Sequence, residues 1–440
     1  MNVEELYTKY LECGCRVTTD SRAITGGEMF IALKGENFDG NEYALKALEA
    51  GAACAVVDDG SSAARAGDAR VTAVPDGLDA LRSLARHHRR HCLGDKHLTV
   101  IGLTGTNGKT TTKNLINAVL SAKYKVTATE GNLNNDIGVP LSLLKITPET
   151  ELAVIEMGAN HPDDIKHLVE VCEPDCGLIT NVGKAHLLGF GSFEGVKRAK
   201  GQLYDFLAAG GGEAFVNVDS EDLRGMAESR QGLSIVPYGL DFNGVEVLAP
   251  TPEHPFLRMV LDGRTIETHL VGSYNAMNVL AAICVGCHFE VPFEDAVAAV
   301  ESYVPANNRS QMQKTERNTL ILDAYNANPS SMGVALDSFD LMEAPVKVAM
   351  LGDMRELGDN SLEEHVRVVE KIASSSFDAY LVGEEFAKAL AAAGTPARVL
   401  GHFASSEELA AHLAAHPLSG ACVLVKGSRG IQMEKVIPAL

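Results

Sequence analysis

The sequence predicts an α/β protein with three domains, on three grounds. The chain has 440 residues, more than a single hydrophobic core usually serves. Short apolar runs typical of buried strands alternate with segments of helical periodicity. This alternation is interrupted at Gly94 and Asp95, and a further block of the same style begins near Arg309. We therefore expect domains over residues 1–96, 97–309 and 310–440.

In the first block, residues 29–33 and 53–57 are apolar strand candidates, and residues 43–51 between them have a helical pattern. A helix that carries the basic run 86–91 follows. Its histidines could suggest a metal site, but consecutive positions spread around a helix rather than converge. We therefore interpret the run as a solvated face.

The second and third blocks have the pattern of parallel sheets with crossover helices. The strand candidates in the second block are residues 98–103, 152–156 and 177–181, with a helix from about Thr110 to Ser121. Those in the third block are residues 319–323, 346–352, 379–383 and 421–426.

The composition is that of a globular protein with excess negative charge. Hydrophobic residues make up 46% of the chain and charged residues 22%. With 38 Lys and Arg against 58 Asp and Glu, the net charge is −20, which opposes a general attraction to nucleic acid or anionic membranes. We expect no nucleic-acid partner, and any phosphate site has to be local.

The sequence contains no targeting or membrane-spanning pattern. Residues 1–11 have an amphipathic helical pattern without the basic and apolar regions of a signal peptide. No stretch approaches the ~20 consecutive apolar residues that a membrane helix needs. The protein is therefore expected to remain in the cytoplasm.

The nine cysteines form no paired CxxC framework, so we predict free thiols in a reducing compartment. Cys284 and Cys287 have the spacing of a redox or zinc pair but lie in an apolar helical run. We expect them to be core cysteines.

The strongest local motif is the glycine-rich turn at residues 104–111, between a predicted strand and a predicted helix. Its glycines let the backbone curl so that N–H groups point at phosphate oxygens, and the helix N-terminus adds partial positive charge. Lys109 is expected to bridge the β- and γ-phosphates, and Thr110 to offer its hydroxyl to Mg²⁺. Because Leu103 stands where the strict P-loop pattern has glycine, this loop is a shorter variant. The strand–loop–helix context disfavours the alternative, a tight turn with a surface lysine.

Three further residues follow predicted strands or lie on a predicted helix downstream. Glu156 ends a strand, and the carboxyl ends of parallel strands form the crevice where such sheets bind ligands, so Glu156 could hold a metal beside the nucleotide. His186 follows the next strand, and Lys200 lies on a helix. Alone, Glu156 would be read as a solvated strand end and His186 as a core or surface histidine. Because these residues are all expected at the same edge of the predicted sheet, we favour a functional site over these separate interpretations.

These motifs resemble those of the Mur ligase family over nearly the whole chain. The central match comprises the loop that begins at Gly105, residues 130–140, residues 154–161, and His186 with Lys200 fourteen positions later. The outer matches are residues 19–22, 30–35, 323–332, 352–358 and 424–429.

The resemblance implies a monomeric enzyme of α/β class with three domains. A small N-terminal α/β domain would bind a UDP-sugar. A central P-loop domain with a parallel sheet would be the ATPase, and a C-terminal Rossmann-like α/β domain would close over the site.

The resemblance also implies which residues hold ATP and metal. The expected ATP-binding residues are Gly105, Thr106, Asn107, Gly108, Lys109, Thr110, Thr111, Asn278, Arg309, Asp323 and Asn326. Asn278 matches the adenine-binding position, and Asn308 stands where relatives usually have glycine before Arg309. The expected catalytic residues are Lys109, Glu156, His186 and Lys200.

Two Mg²⁺ ions are implied, one held by Thr110 and Glu156 and a second supported by His186. Lys200 matches a lysine that is carbamylated in the family, and a carbamate would turn a repelling ammonium into an anionic ligand. The residues expected to bind the UDP-substrate are Ser21, Arg22, Lys34, Gly35, Asn134, Asn135 and Asp136. The substrate contacts expected from the closing domain are Asn328, Lys426, Ser428 and Arg429.

Within the family, residues 132–140 and Asn326 are similar to members that join D-alanyl-D-alanine to UDP-N-acetylmuramoyl-tripeptide through an acyl phosphate. Relatives that add single amino acids have histidine in place of Asn326, and folylpolyglutamate synthases have glycine in place of Thr110. The alternatives are a ligase for a single amino acid, a folylpolyglutamate-synthase-like ligase, and a non-catalytic nucleotide-binding module. The presence together of Lys109, Glu156, His186 and Lys200 argues against the last.

Overall fold

The computed structural model describes residues 1–35, 37–185, 187–251, 253–305 and 309–440, and it contains three successive α/β units. The strands of the first unit are β1 (Val17–Thr18), β2 (Met29–Ile31), β3 (Lys34–Gly35), β4 (Phe38–Asp39), β5 (Cys54–Asp58) and β6 (Val71–Val74). Its helices are α1 (Val3–Glu12), α2 (Ala44–Glu49), α3 (Ser62–Arg65) and α4 (Gly77–His91). Four strands form a parallel sheet in the order β1-β2-β5-β6, and β3 and β4 form a small hairpin.

The second unit is built around a six-stranded sheet that is parallel throughout. Its strands are β7 (Thr99–Thr104), β8 (Val126–Ala128), β9 (Leu152–Glu156), β10 (Cys176–Ile179), β11 (Glu213–Asn217) and β12 (Ser234–Tyr238). Their order is β12-β11-β10-β7-β9-β8. The carboxyl ends of β7, β9 and β10 therefore lie side by side at one edge, which is where open α/β sheets bind ligands.

Helices and a second, smaller sheet complete this unit. The helices are α5 (Lys109–Leu120), α6 (Gly138–Leu143), α7 (Asp164–Cys172), α8 (Leu187–Phe190), α9 (Phe193–Gly210), α10 (Glu221–Glu228), α11 (Ala276–His288) and α12 (Phe293–Ser302). The small antiparallel sheet contains β13 (Glu246–Leu248), β14 (Arg258–Leu261) and β15 (Arg264–Glu267).

The third unit has a mixed six-stranded sheet. Its strands are β16 (Gln311–Lys314), β17 (Thr319–Asp323), β18 (Lys347–Gly352), β19 (Asp378–Val382), β20 (Val399–Phe403) and β21 (Cys422–Lys426). Its helices are α13 (Pro329–Asp340), α14 (Ser361–Ser374), α15 (Glu384–Ala393) and α16 (Ser406–Ala415). The order is β16-β17-β21-β18-β19-β20, and only β16 runs antiparallel to its neighbour. The strands predicted for all three blocks are confirmed, as is the α/β class.

The basic run at the end of α4 forms a junction between the first and second units. His88 and Arg89 are buried. Arg89 donates to the carbonyl oxygens of Cys172 at 3.1 Å and Glu173 at 2.7 Å, and to Asp175 at 3.1 Å. The interpretation of the run as a solvated face is therefore wrong for these two residues, because the C-terminal end of α7 covers Arg89, while Ile146 and the tyrosines of α1 cover His88.

The cysteine predictions are confirmed in part. All nine cysteines are free thiols. Cys284 is partly buried and packs against the core of the second unit. Cys287 is exposed near the end of α11, so the prediction that it is a core cysteine is wrong. Within the described ranges, no helix combines the length and apolarity that crossing a bilayer requires.

Candidate active site

The turn between β7 and α5 takes a shape that only glycine allows at two positions. Gly105 and Gly108 have φ angles of 150° and 78°. A Cβ atom on Gly105 would lie 1.9 Å from Thr180 Oγ1, and one on Gly108 would lie 2.7 Å from Asn278 Oδ1. The loop is therefore pressed between the end of β10 and the start of α11, where a side chain would not fit.

Hydrogen bonds from the segment after β10 hold this loop in place. The backbone N–H groups of Thr106 and Asn107 donate to Asn181 O at 3.0 Å and Asn181 Oδ1 at 2.9 Å. Thr180 Oγ1 and Asn181 Nδ2 both donate to Asn107 O, at 2.6 and 3.0 Å. The first N–H groups of α5 have no partner within their own helix and remain available for an anion.

Lys109 begins α5 and folds back over the loop. Its Nζ donates to Gly105 O at 2.8 Å and to Thr106 O at 3.1 Å. Burial lowers the pKa of Lys109, and the nearby Glu156 opposes that shift. Because carbonyl groups rather than a carboxylate hold Lys109, no ion pair has to break before a phosphate group can bind there.

Glu156 lies at the end of β9 and is 1% exposed. Its Oε1 accepts a hydrogen bond from Asn134 Nδ2 at 2.8 Å and another from Thr110 Oγ1 at 3.2 Å. Its Oε2 is buried and has no hydrogen-bond partner among the residues described. The predicted pair Thr110 and Glu156 is thus brought together. Asn134, which was predicted to bind the UDP-substrate, also contacts Glu156.

Lys200 is buried on α9. Burial lowers the pKa of Lys200 well below its ordinary value, and the positive charge of Lys109 adds to this effect. Its Nζ lies 5.9 Å from the centre of the Phe190 ring. His186, the fourth predicted catalytic residue, lies outside the described residues. In the part of the chain that the structure covers, no three His, Cys, Asp or Glu side chains converge as a metal-binding group.

Asn278 is part of a hydrogen-bonded network on the α11 side of the loop. It accepts from Thr112 Oγ1 at 3.1 Å and donates to Asn275 Oδ1 at 2.9 Å. Asn275 in turn donates to Val271 O at 2.8 Å and to Ser310 Oγ at 3.2 Å. The network fixes Asn278 against Gly108 and links α11 to the start of the third unit. Asn308, which precedes Arg309 in the sequence, lies outside the described residues.

The third unit places an ion pair and a cation–π stack on the side that faces the glycine-rich loop. Lys426 is 1% exposed and donates to Asp323 Oδ2 at 2.5 Å, so β21 and β17 are joined at their carboxyl ends. The guanidinium of Arg309 lies 3.6 Å from the centre of the Tyr325 ring, and that of Arg429 lies at 5.9 Å. Such distances are typical of cation–π contacts.

Two further polar contacts join the second and third units nearer the glycine-rich loop. Asn328, which caps α13, donates from Nδ2 to Asn107 Oδ1 at 2.8 Å. Lys184 forms an ion pair of 3.2 Å with the buried carboxylate of Glu364 on α14. The third unit is therefore in contact with the glycine-rich loop.

These features enclose a cavity of about 900 Å³ between the second and third units. The predicted residues that line it are Thr106, Asn107, Gly108, Lys109, Thr110, Thr111, Asn134, Asn135, Asp136, Glu156, Asn278, Arg309, Asp323, Asn326, Asn328 and Lys426. Leu78 of α4 also lines it, so the first unit borders the cavity.

Other predicted residues do not line this cavity. Ser21, Arg22, Lys34 and Gly35 all lie in the first unit, where Arg22 pairs with Asp20 and Lys34 with Asp58. Gly105, Lys200, Ser428 and Arg429 lie beside the lining residues, and Ser428 donates to Ala327 O at 3.3 Å.

Two residues of the site were not predicted from the sequence. Asn181 holds the glycine-rich loop, and Tyr325 holds Arg309. Tyr325 stands inside a motif that was recognised, between Asp323 and Asn326, and Asn181 ends a predicted strand. Their positions at strand ends were the available indication.

A glycine-rich loop on a parallel sheet, with a lysine and a hydroxyl beside a buried carboxylate, defines a P-loop nucleotide-binding protein. The chain also matches three family models. They are the Mur ligase family catalytic domain at residues 16–89, the Mur ligase middle domain at 103–286 and the Mur ligase glutamate ligase domain at 308–429.

Curated relatives and solved structures match over almost the full length. The chain is 34% identical to UDP-N-acetylmuramoyl-tripeptide–D-alanyl-D-alanine ligase of Bacillus subtilis, covering 96% of this chain and 92% of that protein. It is 35% identical to the Escherichia coli protein of the same name, covering 96% and 93%. The chain belongs to the Mur ligase family.

Two solved structures share the fold over the same length. A crystal structure of MurF from Acinetobacter baumannii has a TM-score of 0.83 at 31% identity and covers 96% of this chain and 92% of its own. MurF ligase from Thermotoga maritima in complex with ADP has a TM-score of 0.82 at 26% identity and covers 96% of each chain.

Proposed function

We propose that this chain is an ATP-dependent ligase that joins D-alanyl-D-alanine to the terminal carboxylate of UDP-N-acetylmuramoyl-tripeptide, with release of ADP and phosphate. The observation that carries the proposal is the shared cavity. It brings the phosphate loop and Glu156 of the second unit against Asn328 and Lys426 of the third. The relatives that match 96% of the chain carry the name of this ligase. The product would be a precursor of peptidoglycan, and the need for ATP favours a cytoplasmic reaction.

The reaction would proceed in two displacements. A carboxylate oxygen of the tripeptide attacks the γ-phosphorus of ATP, ADP leaves, and an acyl phosphate forms. The amine of D-alanyl-D-alanine then attacks the acyl carbon, loses a proton, and phosphate leaves with the oxygen that came from the carboxylate. Lys109 and the N–H groups at the start of α5 would hold the phosphates and stabilise the negative charge that develops on them.

The residues around Glu156 fit a divalent cation. A buried carboxylate oxygen with no donor is costly unless a cation meets it, and Oε2 of Glu156 is such an atom in the part of the chain described. Thr110 and Glu156 would hold one Mg²⁺, and His186 with Lys200 as a carbamate would hold a second. When bound, the cations would neutralise charge on the phosphate oxygens.

Carbamylation of Lys200 is supported by its surroundings. Only a neutral amine attacks CO₂, and burial lowers the pKa of Lys200 so that the amine is favoured. We expect removal of dissolved CO₂ to reduce activity severalfold and bicarbonate to restore it. A carbamate carbon resonance after incubation with ¹³C-bicarbonate, absent in Lys200→Met, would provide the direct check. Full activity in CO₂-free buffer would contradict the modification.

The remaining assignments follow from family motifs and stay predictions. Domains over residues 1–96, 97–309 and 310–440 would bind the UDP-sugar, bind ATP and close the site, in a monomer. Ser21, Arg22, Lys34 and Gly35 would hold the UDP-sugar, while Asn135 and Asp136 would approach the muramoyl peptide from the cavity wall.

The test is phosphate release by the purified chain with ATP, Mg²⁺ and UDP-N-acetylmuramoyl-tripeptide. Release that depends on D-alanyl-D-alanine, with a product heavier by that dipeptide less one water, is expected. Labelled oxygen placed in the tripeptide carboxylate should appear in the phosphate. Release with a single amino acid would overturn the substrate, and turnover indifferent to every amino donor would overturn the ligase assignment.

A further inference from the structure

The carboxylate of Glu156 is held asymmetrically by two side chains, one of which lies outside the P-loop. Both donors, Asn134 Nδ2 at 2.8 Å and Thr110 Oγ1 at 3.2 Å, meet the same oxygen, Oε1. The other oxygen, Oε2, meets no donor among the residues that the structure covers. Two donors on one oxygen restrain rotation of the carboxylate and leave the lone pairs of the other oxygen free.

Asn134 is itself fixed on both sides. Its backbone N–H donates to Asn132 O at 2.8 Å, and its carbonyl accepts from Gly158 N at 2.7 Å. Gly158 also makes room for the amide, since a Cβ there would lie 3.0 Å from Asn134 Oδ1. Because an ionised carboxylate only accepts hydrogen bonds, the amide has to present its NH₂ group to Glu156.

We infer that Asn134 is a positioning residue that aims Oε2 of Glu156 at the metal, not a contact for the UDP-substrate. The inference rests on the proposed assignment of Glu156 as a Mg²⁺ ligand and assigns the amide a role that its motif did not. Groups that orient metal ligands by hydrogen bonds typically change metal affinity by about 10- to 100-fold when they are removed.

The test is Mn²⁺ binding to the full chain in the presence of ADP, followed by electron paramagnetic resonance. The variant is Asn134→Leu, which is similar in size and has no donor. We expect Mn²⁺ affinity to fall about 10- to 100-fold. The affinity for ADP in EDTA should stay within about twofold, since the amide bonds to Glu156 and makes no hydrogen bond to residues 105–111. Asn134→Ala removes the donor without adding apolar volume and gives the same measurement if the leucine variant does not fold.

Unchanged Mn²⁺ affinity in both variants would overturn the inference. If the UDP-substrate also bound more weakly to these variants at saturating Mg²⁺, Asn134 would instead have the role in UDP-substrate binding that its motif suggests. The readout needs no ligase turnover, so the absence of D-alanyl-D-alanine-dependent phosphate release from the parent chain would refute the proposed function without affecting this comparison.

Discussion

Two cations of the site, Lys109 and Arg309, are held by groups that do not neutralise them. Lys109 is held by two carbonyl oxygens and Arg309 by the face of Tyr325. In a chain with net charge −20, acidic partners are abundant. An ion pair would have to break before a phosphate group could bind, whereas carbonyl and aromatic contacts leave the charge available. We therefore expect Tyr325 to affect nucleotide binding through Arg309, although its own ring carries no charge.

Replacement of Tyr325 tests this arrangement. We expect Tyr325→Leu to raise the KM for ATP about fivefold, because a cation–π contact of about 1 kcal/mol would be lost. Tyr325→Phe keeps the ring face and should stay within about twofold, since the contact is made by the ring. Steady-state kinetics at saturating UDP-substrate provide the measurement.

A matched control for Tyr325 exists in the first unit. Tyr43 lies under Lys46 at 5.6 Å and lines no part of the cavity, so Tyr43→Leu should leave the KM for ATP unchanged. Equal effects of Tyr325→Leu and Tyr43→Leu, or an effect of Tyr325→Phe as large as that of the leucine variant, would show that the ring does not hold Arg309.

At the scale of the element, α4 shows what the sequence could and could not predict. The helix was predicted, because its periodicity and basic run are local properties. Its burial was not, because the partners of Arg89, at Cys172, Glu173 and Asp175, lie more than eighty residues away in sequence. The same holds for the site. The glycine-rich loop and Glu156 were predicted from local motifs, but the contact of Asn134 with Glu156 depends on how the loop that carries Asn134 packs against the end of β9.

Arg89 and Arg86 provide a matched pair on α4. Arg89→Met leaves the backbone carbonyls of Cys172 and Glu173, at the C-terminal end of α7, without their donor. We expect a loss of about 2–3 kcal/mol in the free energy of unfolding. Arg86→Met removes an ion pair between the half-exposed Arg86 and Glu173, which Arg90 also pairs with, and should cost less than about 1 kcal/mol. Calorimetry of both variants measures the difference. Similar melting temperatures for the two would mean that the buried arginine does not stabilise the junction.

His88, on the buried face of the same helix, predicts a pH dependence. Its Nε2 is 2.9 Å from Ile146 O and so donates, and its Nδ1 accepts from Tyr7 OH at 3.3 Å, which requires a neutral ring. Burial lowers the pKa of His88 below its ordinary value of 6.5. The unfolded chain therefore takes up the proton first, so stability is full above pH 6.5 and is lost as the pH falls toward the folded pKa.

His88→Gln separates this effect from other titrating groups. Glutamine keeps a donor for Ile146 O but does not titrate. Between pH 7.5 and 5.5, we expect the melting temperature of the parent to fall more steeply than that of the variant. Burial also lowers the pKa of His87, but His87 is present in both proteins, so its contribution to the pH dependence cancels when the two melting temperatures are compared. Parallel melting curves across this range would rule out His88 as the group responsible.

For the whole molecule, residues of all three units line one cavity, and the third unit contacts the glycine-rich loop through polar side chains. The junction of α4 with α7 is held by a buried arginine. The third unit is joined to the second by apolar packing of Val271 beside the connection at Ser310, and its contacts near the loop, Asn328 with Asn107 and Lys184 with Glu364, are polar. Buried groups make rigid junctions, and polar contacts that water can replace make reversible ones. The third unit is therefore the one that should open and close.

The Lys184–Glu364 pair tests which junction moves. The lysine is half-exposed, so the pair contributes about 0.5–1 kcal/mol. Its loss should shift the balance between closed and open forms about two- to fivefold toward open. We expect Lys184→Met to increase the radius of gyration in X-ray scattering without ligand, and ATP with the UDP-substrate to restore the parent value, since ligands that bridge both units favour closure. Lys388→Met removes a lysine paired with Glu385 inside the third unit and should leave the scattering unchanged. If Lys184→Met scatters like the parent while Arg89→Met expands, the moving unit is the first and the assignment of rigid and reversible junctions is reversed.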